Sequence, residues 1–458
     1  MAQSSTKLIK GGNAVTPQGL STQDVLIRGE QIDRIGDLEQ READLVFDAQ
    51  GLLVLPGAVD THVHFNDHFM NTVSVHDYYT GTRAAAYGGV TAVIDFANQE
   101  RGHPLGSALR NKKGEADGLA LVDWGVHPVI TDPTPDTIAE IPVLIKEGAP
   151  TFKCYMTYRQ EGLMTPDEDL KRILRALREA GGMLLVHAED NDTIEKNVPA
   201  MINSGRTKAI FHARSRPVEA ENRAIQRCIQ MTRETDSRLF IVHMATDMGV
   251  DLVSRAQEEG LDVHAETCTH YLIFTDQKLE REDGIKWICS PPLRNISIQD
   301  RLWEGIRDGQ ISLVSSDDAA FSWEAKLLGA ERFDRCPNGI PGIESRLSIL
   351  YSEGVAKGRL SLQRFVELVS TEPALLFGLF PQKGCLVQGA DADIVLFDPQ
   401  KKWVMGESTQ HMAADWSAYE GIKITGKIEK VFSRGELIID GQQCLAQKGR
   451  GRYIHRSL

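Results

Sequence analysis

The sequence predicts an α/β architecture: a (β/α)8 TIM barrel joined to a small β-sandwich domain formed from both termini. Three observations predict it. Eight short apolar runs occupy the middle of the chain, helical patterns separate them, and both flanks change to alternating runs cut by glycine turns. Strands alternating with helices build a parallel sheet, and eight such repeats close it into a barrel.

The eight runs are residues 58–64, 90–96, 122–130, 151–155, 183–187, 238–243, 262–268 and 312–317. Between them, apolar residues recur every three or four positions, as in 166–180, 217–235 and 299–308. Asp247 followed by a periodic run to Glu259 and then Gly260 carries both a start and a stop signal for a helix. Residues 8–12 and 24–29 near one end, and 393–398 and 428–432 near the other, alternate as antiparallel strands do. This divides the chain into 1–55 plus 380–448 as the β-sandwich domain, 56–379 as the barrel, and 449–458 as a tail that could dock on a neighbouring subunit. Two separate β appendages are the alternative.

At 458 residues the chain exceeds one small core. Hydrophobic residues at 41% and charged residues at 25% are those of an ordinary globular protein. The net charge of −13, without a long acidic block, disfavours binding to nucleic acid or an anionic membrane surface. The longest apolar runs are strand length, far short of the roughly 20 residues that span a bilayer. Residues 1–7 have no apolar signal-peptide core. Seven scattered cysteines without a C-x-x-C pair read as reduced thiols in a cytoplasmic protein.

The chemistry sits at the ends of the runs. His62 and His64 are two apart on a strand, so both rings face the barrel interior at its C-terminal end. Asp60 shares that face and could orient one of them. His187 and His243 end two further runs, and Asp317 ends the eighth. Buried alone, such a carboxylate is costly; a metal ion would satisfy it. The bland alternatives are core histidines and a helix cap at Asp317, a role Asp318 could take instead.

Lys153 lies in the fourth run, between Phe152 and Cys154. Burial and nearby cations favour its neutral amine, which can add carbon dioxide to become a carbamate. That anion could bridge two metals roughly 3.5–4 Å apart. An ion pair with a nearby acid is the structural alternative.

These residues resemble the cyclic amidohydrolases, in the hydantoinase/dihydropyrimidinase branch of the metal-dependent amidohydrolase superfamily; phenylhydantoinase-type enzymes look nearest. The resemblance covers nearly the whole chain. It rests on 56–64, on Phe152-Lys153-Cys154-Tyr155-Met156-Thr157-Tyr158, Val186-His187-Ala188-Glu189, Ser290-Pro291-Pro292-Leu293-Arg294, Pro337-Asn338-Gly339-Ile340-Pro341-Gly342 and Pro381-Gln382-Lys383-Gly384. It implies two divalent ions, zinc foremost, bridged by carboxylated Lys153. His62, His64 and Asp317 would hold one ion, and His187 and His243 the other. It also implies that Asp317 takes the proton of a bridging water, that Tyr158 hydrogen-bonds the developing oxyanion, and that the backbone at Ser290 and Asn338 holds the ring amide. A small-molecule cyclic amide is the implied substrate and a homo-oligomer, a tetramer, the implied assembly.

The family commonly has Asp-His-Cys where this chain has Asp317-Asp318-Ala319. A carboxylate at 318 aimed inward would raise the proton affinity of Asp317 and favour neutral rings. Phe65-Asn66-Asp67 also resembles allantoinases, whereas Pro337-Asn338-Gly339 favours the hydantoinase branch. The expected activity is hydrolysis of a 5-substituted hydantoin or dihydropyrimidine to an N-carbamoyl amino acid by a metal-bridging hydroxide. The ring substituent is expected near Phe65, Phe69 and Tyr155, with ordinary packing as the alternative for Phe65. An allantoinase and a non-catalytic interaction protein are the competing classes, and the complete set of six ligand positions argues against the second.

Overall fold

The computed structural model describes residues 6–458. Eight parallel strands form one sheet in chain order: Ala58–Val63, Val90–Asn98, Asp123–Val129, Thr151–Tyr155, Met183–His187, Leu239–Ile241, Val263–Cys268 and Leu313–Ser315. The ring closes between its first and last members. His64 N donates to Asp318 O at 2.9 Å, and Asp318 N to His62 O at 3.4 Å. The closing hydrogen bonds therefore use the segments that carry His62, His64 and Asp317.

The sixth and eighth strands stop short of the expected 243 and 317. His243 and Asp317 have φ of +39° and +47°, outside the extended region. A non-glycine residue costs about 1–3 kcal/mol there, so the surroundings must enforce the turn. Tyr158, at φ +66°, shares the condition.

The helices follow the sequence pattern. Asp167–Ala180 turns Leu170, Ile173, Leu174 and Leu177 inward, each burial worth about 2 kcal/mol, and stops at Gly181 in the left-handed conformation. The helix expected from Asp247 is capped one residue earlier: the Thr246 side chain accepts from Gly249 N, and the helix runs Asp247–Glu258.

The flanking β region is one nine-stranded sheet drawn from both ends of the chain, not two appendages. The join is antiparallel pairing of Leu53–Pro56 with Ile394–Met405, Leu55 opposite Val395. Ile9, Val25, Ile27, Val54, Ile394, Leu396 and Phe432 pack into its core. A buried ionic knot ties this region to the barrel. Lys383 Nζ lies 2.7 Å from Asp123, which opens the third barrel strand, and 2.9 Å from both Asp391 and Asp393.

The C-terminal tail corrects one expectation. It docks on its own barrel rather than standing free for a neighbour. Trp124 N donates to Arg452 O and Ile454 N to Trp124 O, extending the floor of the third strand. The fully buried Arg456 donates to Val126 O at 2.7 Å and to Thr151 Oγ1 at 2.9 Å. A guanidinium can satisfy several carbonyls at once, which is why an arginine serves as this plug.

Candidate active site and metal centre

At the C-terminal mouth of the barrel a cavity of about 60 Å³ is lined by His62, His64, Lys153, His187, His243 and Asp317. Asp317 Oδ1 stands 3.1 Å from His62 Nε2 and 3.4 Å from His64 Nε2. The ring centroids of His187 and His243 are 4.5 Å apart, and those of His62 and His243 5.3 Å. The structure thus brings together six side chains from five barrel strands, spread over more than 250 residues of sequence.

Three of the four rings are aimed by a partner. His62 Nδ1 donates to Glu266 Oε1 at 2.5 Å, leaving Nε2 for the cavity. His64 Nδ1 donates to Asp67 Oδ2 at 2.9 Å. His187 Nε2 donates to Glu189 Oε2 at 2.7 Å, which leaves its Nδ1 free. A carboxylate on the far nitrogen selects the tautomer and the orientation of a metal-binding imidazole. Arg216 in turn donates to Glu189 Oε2 at 2.7 Å, and its guanidinium lies 5.3 Å from the centre of the Tyr158 ring.

The sequence reading missed Glu266, Asp67, Glu189 and Arg216. Position alone could have suggested two of them: Glu189 follows His187 by two residues and Asp67 follows His64 by three. Asp60, the expected orienting residue, does not touch a ring. Its Oδ1 accepts from the backbone N of His62 and of Ser316, at 3.3 and 3.2 Å. Glu266, across the barrel, has the place expected for Asp60.

The electrostatics suit cations. Burial pushes the Lys153 amine down to about 7, although the charges of Glu266 and Asp317 oppose it. Its Nζ sits 5.0 Å from the Phe96 ring centre and 5.2 Å from that of Tyr155. Burial opposes ionisation of Asp317, but the imidazoles of His62, His64 and His243 outweigh it and hold the carboxyl well below its usual range. His243 Nδ1 is buried with no hydrogen-bond partner. A buried amine that is partly neutral, an orphaned ring nitrogen and a carboxylate shared between two imidazoles form a nitrogen and oxygen donor set that fits zinc and its neighbours.

Beside these donors, Asn338 Nδ2 donates to the Tyr158 hydroxyl at 3.4 Å. Burial pushes that phenol up to about 12, against the pull of Arg216. Ser290, Asn338, Tyr155 and Phe69 all line the cavity. A wider chamber of about 350 Å³ opens next to it and shares Tyr158 and Asn338.

Two expectations are corrected. Phe65 does not reach the cavity. It is fully buried, edge-on to Tyr78 and His76, and a Cβ on Gly81 would come within 2.4 Å of its ring. As the residue after His64, it points to the opposite side of the chain and packs in the core. Asp318 points away from the metal donors. It accepts from His76 Nδ1 at 2.9 Å and from the backbone N of Gly342 and Ile343 at 2.7 and 3.1 Å, so it anchors the 339–343 loop.

The sequence pattern of the Amidohydrolase family matches residues 53–438. The D-hydantoinase of Geobacillus stearothermophilus is 40% identical over 457 residues, 99% of this chain and 97% of that protein. The D-phenylhydantoinase of Escherichia coli O1:K1 is 40% identical over 456 residues, 98% of each chain. The crystal structure of dihydropyrimidinase from Brevibacillus agri NCHU1002 superposes with a TM-score of 0.97 at 39% identity, covering 99% of both chains. Fold, site and sequence together place this chain in the amidohydrolase family, within its hydantoinase branch.

Proposed function

We propose that this protein hydrolyses the ring amide of a 5-substituted hydantoin or a dihydropyrimidine, releasing an N-carbamoyl amino acid. The observation that carries the reading is the convergence of Asp317 on His62 and His64, with Lys153, His187 and His243 around the same cavity. His62, His64 and Asp317 would hold one divalent ion and His187 and His243 a second, with Lys153 between them as a carbamate. When bound, such a pair of ions lowers the pKa of water and polarises a carbonyl.

The chain's own groups do the rest. Asp317 accepts the proton of the attacking water and passes it to the ring nitrogen as the C–N bond breaks. Tyr158 remains protonated at neutral pH and donates to the carbonyl oxygen as charge develops there. The backbone at Ser290 and Asn338 holds the ring amide. Phe69 and Tyr155 face the ring substituent, which extends toward the wider chamber beside Tyr158.

Zinc as the ion, the carbamate on Lys153 and a cytoplasmic homotetramer belong to the same reading and rest on the resemblance to the family. Among the described residues no helix is long and apolar enough to cross a membrane. Metal analysis and light scattering test the ion and the assembly. The activity is tested by supplying the metal-loaded protein with 5-substituted hydantoins, dihydrouracil and allantoin. Ring opening of the first two is expected. Preference for allantoin would make it an allantoinase, and no turnover of any ring would leave only a binding role.

A further inference from the structure

Two more donor side chains lie at the barrel mouth beyond the six described, next to one of those six. Cys268 ends the seventh barrel strand and pairs in register with Ser315 of the eighth. His270 sits in the first turn of the short helix Thr269–Ile273 that follows. Cys268 Sγ, one ring nitrogen of His270 and one carboxylate oxygen of Asp317 all lie within 4.8 Å of one another. Cys268 is 0% exposed and His270 1%.

Neither nitrogen of His270 has a hydrogen-bond partner. A neutral imidazole carries one donor and one acceptor, and each one buried unmet costs about 1–3 kcal/mol. The Cys268 thiol has a weak contact with Ser315 Oγ at 3.5 Å. A soft sulfur, an imidazole and a carboxylate therefore face one small volume, and the imidazole lacks any other partner there.

We propose that Cys268, His270 and Asp317 form a further cation site, sharing Asp317 with the principal centre and selecting soft divalent ions such as zinc or cadmium. Sulfur and nitrogen donors favour these ions over magnesium or calcium. Donors on a tetrahedral ion of this kind stand roughly 3.3–3.8 Å apart, so the three close by at most about 1.5 Å on binding. The sulfur–metal bond forms as the thiol releases its proton to solvent. No electron transfer is involved.

The consequence is inhibition by excess metal. An ion held by Cys268 and His270 occupies a carboxylate oxygen of Asp317 that proton transfer needs free. This consequence rests on the function proposed above; the site itself does not.

The test is a cadmium titration of the holoenzyme already loaded with its two principal ions. Bound metal is counted after gel filtration, and the ultraviolet sulfur-to-cadmium charge-transfer band and turnover are followed together. A third equivalent is expected to appear with the band, while turnover falls by about 10²-fold, the usual worth of a positioned general base. Cys268→Ser and His270→Asn should each remove the third equivalent and the inhibition, with turnover at two equivalents retained. Should Cys268→Ser fail to fold, His270→Asn alone carries the comparison. Cys289 also lines the cavity. A band that survives Cys268→Ser but vanishes in Cys289→Ser would overturn the proposal, as would a wild-type count that stops at two. A third equivalent with the band but with unchanged turnover would support the site and overturn the role of Asp317 instead.

Discussion

Glu266 Oε1 accepts a hydrogen bond from His62 Nδ1 at 2.5 Å, and the opposite nitrogen of the same ring faces Asp317 at 3.1 Å. A carboxylate of the seventh strand thereby sets the tautomer of a donor on the first. Glu266 Oε1 also accepts from His243 N at 3.2 Å, so one acid steadies parts of two donor residues. Glu266→Gln should weaken metal binding by about 10–100-fold, the usual cost of losing such a partner. Competition with a chelator measures it, and unchanged affinity would show that the contact only fills space.

Lys153 should carry a carbamate in the metal-loaded protein. Burial brings its amine down to about 7 against the pull of Glu266 and Asp317, so a neutral fraction is present near neutral pH. Native mass spectrometry should find the mass of one added carbon dioxide, absent from Lys153→Ala, which should also lose the paired metal content. A bare lysine in an active, fully metallated enzyme contradicts this.

Asp317→Asn should keep much of the metal but lower kcat by about 10²-fold or more, because an amide oxygen still binds an ion but cannot take the proton. Metal content and turnover on the same preparation separate the two roles. Near wild-type kcat with full metal would rule out the base.

Asp318 is a loop anchor, and its loss should register in stability. Removing the acceptor in Asp318→Ala leaves His76 Nδ1 and two backbone N–H groups unmet. About 1–3 kcal/mol should be lost for each group left buried. Calorimetry checks this, and the relative rates on different rings should not change. A reordered substrate series would mean that this carboxylate does reach the site.

The knot at Lys383 predicts a response to acid. Burial opposes the Asp123 carboxylate, but Lys383 and Arg434 outweigh it and hold its pKa below the ordinary value. Its contribution is therefore fully present above the unfolded carboxylate pKa of about 4 and is lost as pH falls through the lower folded value. Lys383→Met removes the cation shared by three buried carboxylates, of which Asp123 keeps Arg434, and should cost about 3–5 kcal/mol at neutral pH. It should also make the acid limb of the stability curve shallower. Denaturant titrations from pH 3 to 7 test it, and parallel curves would refute it.

Strand order and the six side chains that meet at the small cavity were legible because both depend on local pattern. An apolar run ending in a polar residue marks a barrel strand and its mouth, and the i, i+2 spacing puts His62 and His64 on one face whatever the rest of the chain does. The same local rule separates Phe65 from them, since it stands one residue after His64 and faces the core. The family motifs added Tyr158, Ser290 and Asn338, which the structure places in the lining of the same cavity.

Other features were decided only by the tertiary structure. Glu266 rather than Asp60 orients His62, because Asp60 is taken up by the backbone N–H groups of His62 and Ser316 while barrel closure brings Glu266 of the seventh strand against the ring. The left-handed turns at His243 and Asp317, which end two strands early, are only weakly signalled by residue type, since His and Asp enter that region more readily than most residues but do so seldom. Asp318 turned outward because the backbone N–H groups of Gly342 and Ile343, together with His76, offered it a better-satisfied place than a site already holding Asp317. The tail folded onto its own chain where Arg456 could donate to Val126 O of the third strand, to Thr151 Oγ1 and to Phe377 O. Local sequence thus determined which side chains were available and which face each began on. Long-range closure decided which of them meet, since a buried polar group settles wherever its hydrogen bonds are completed.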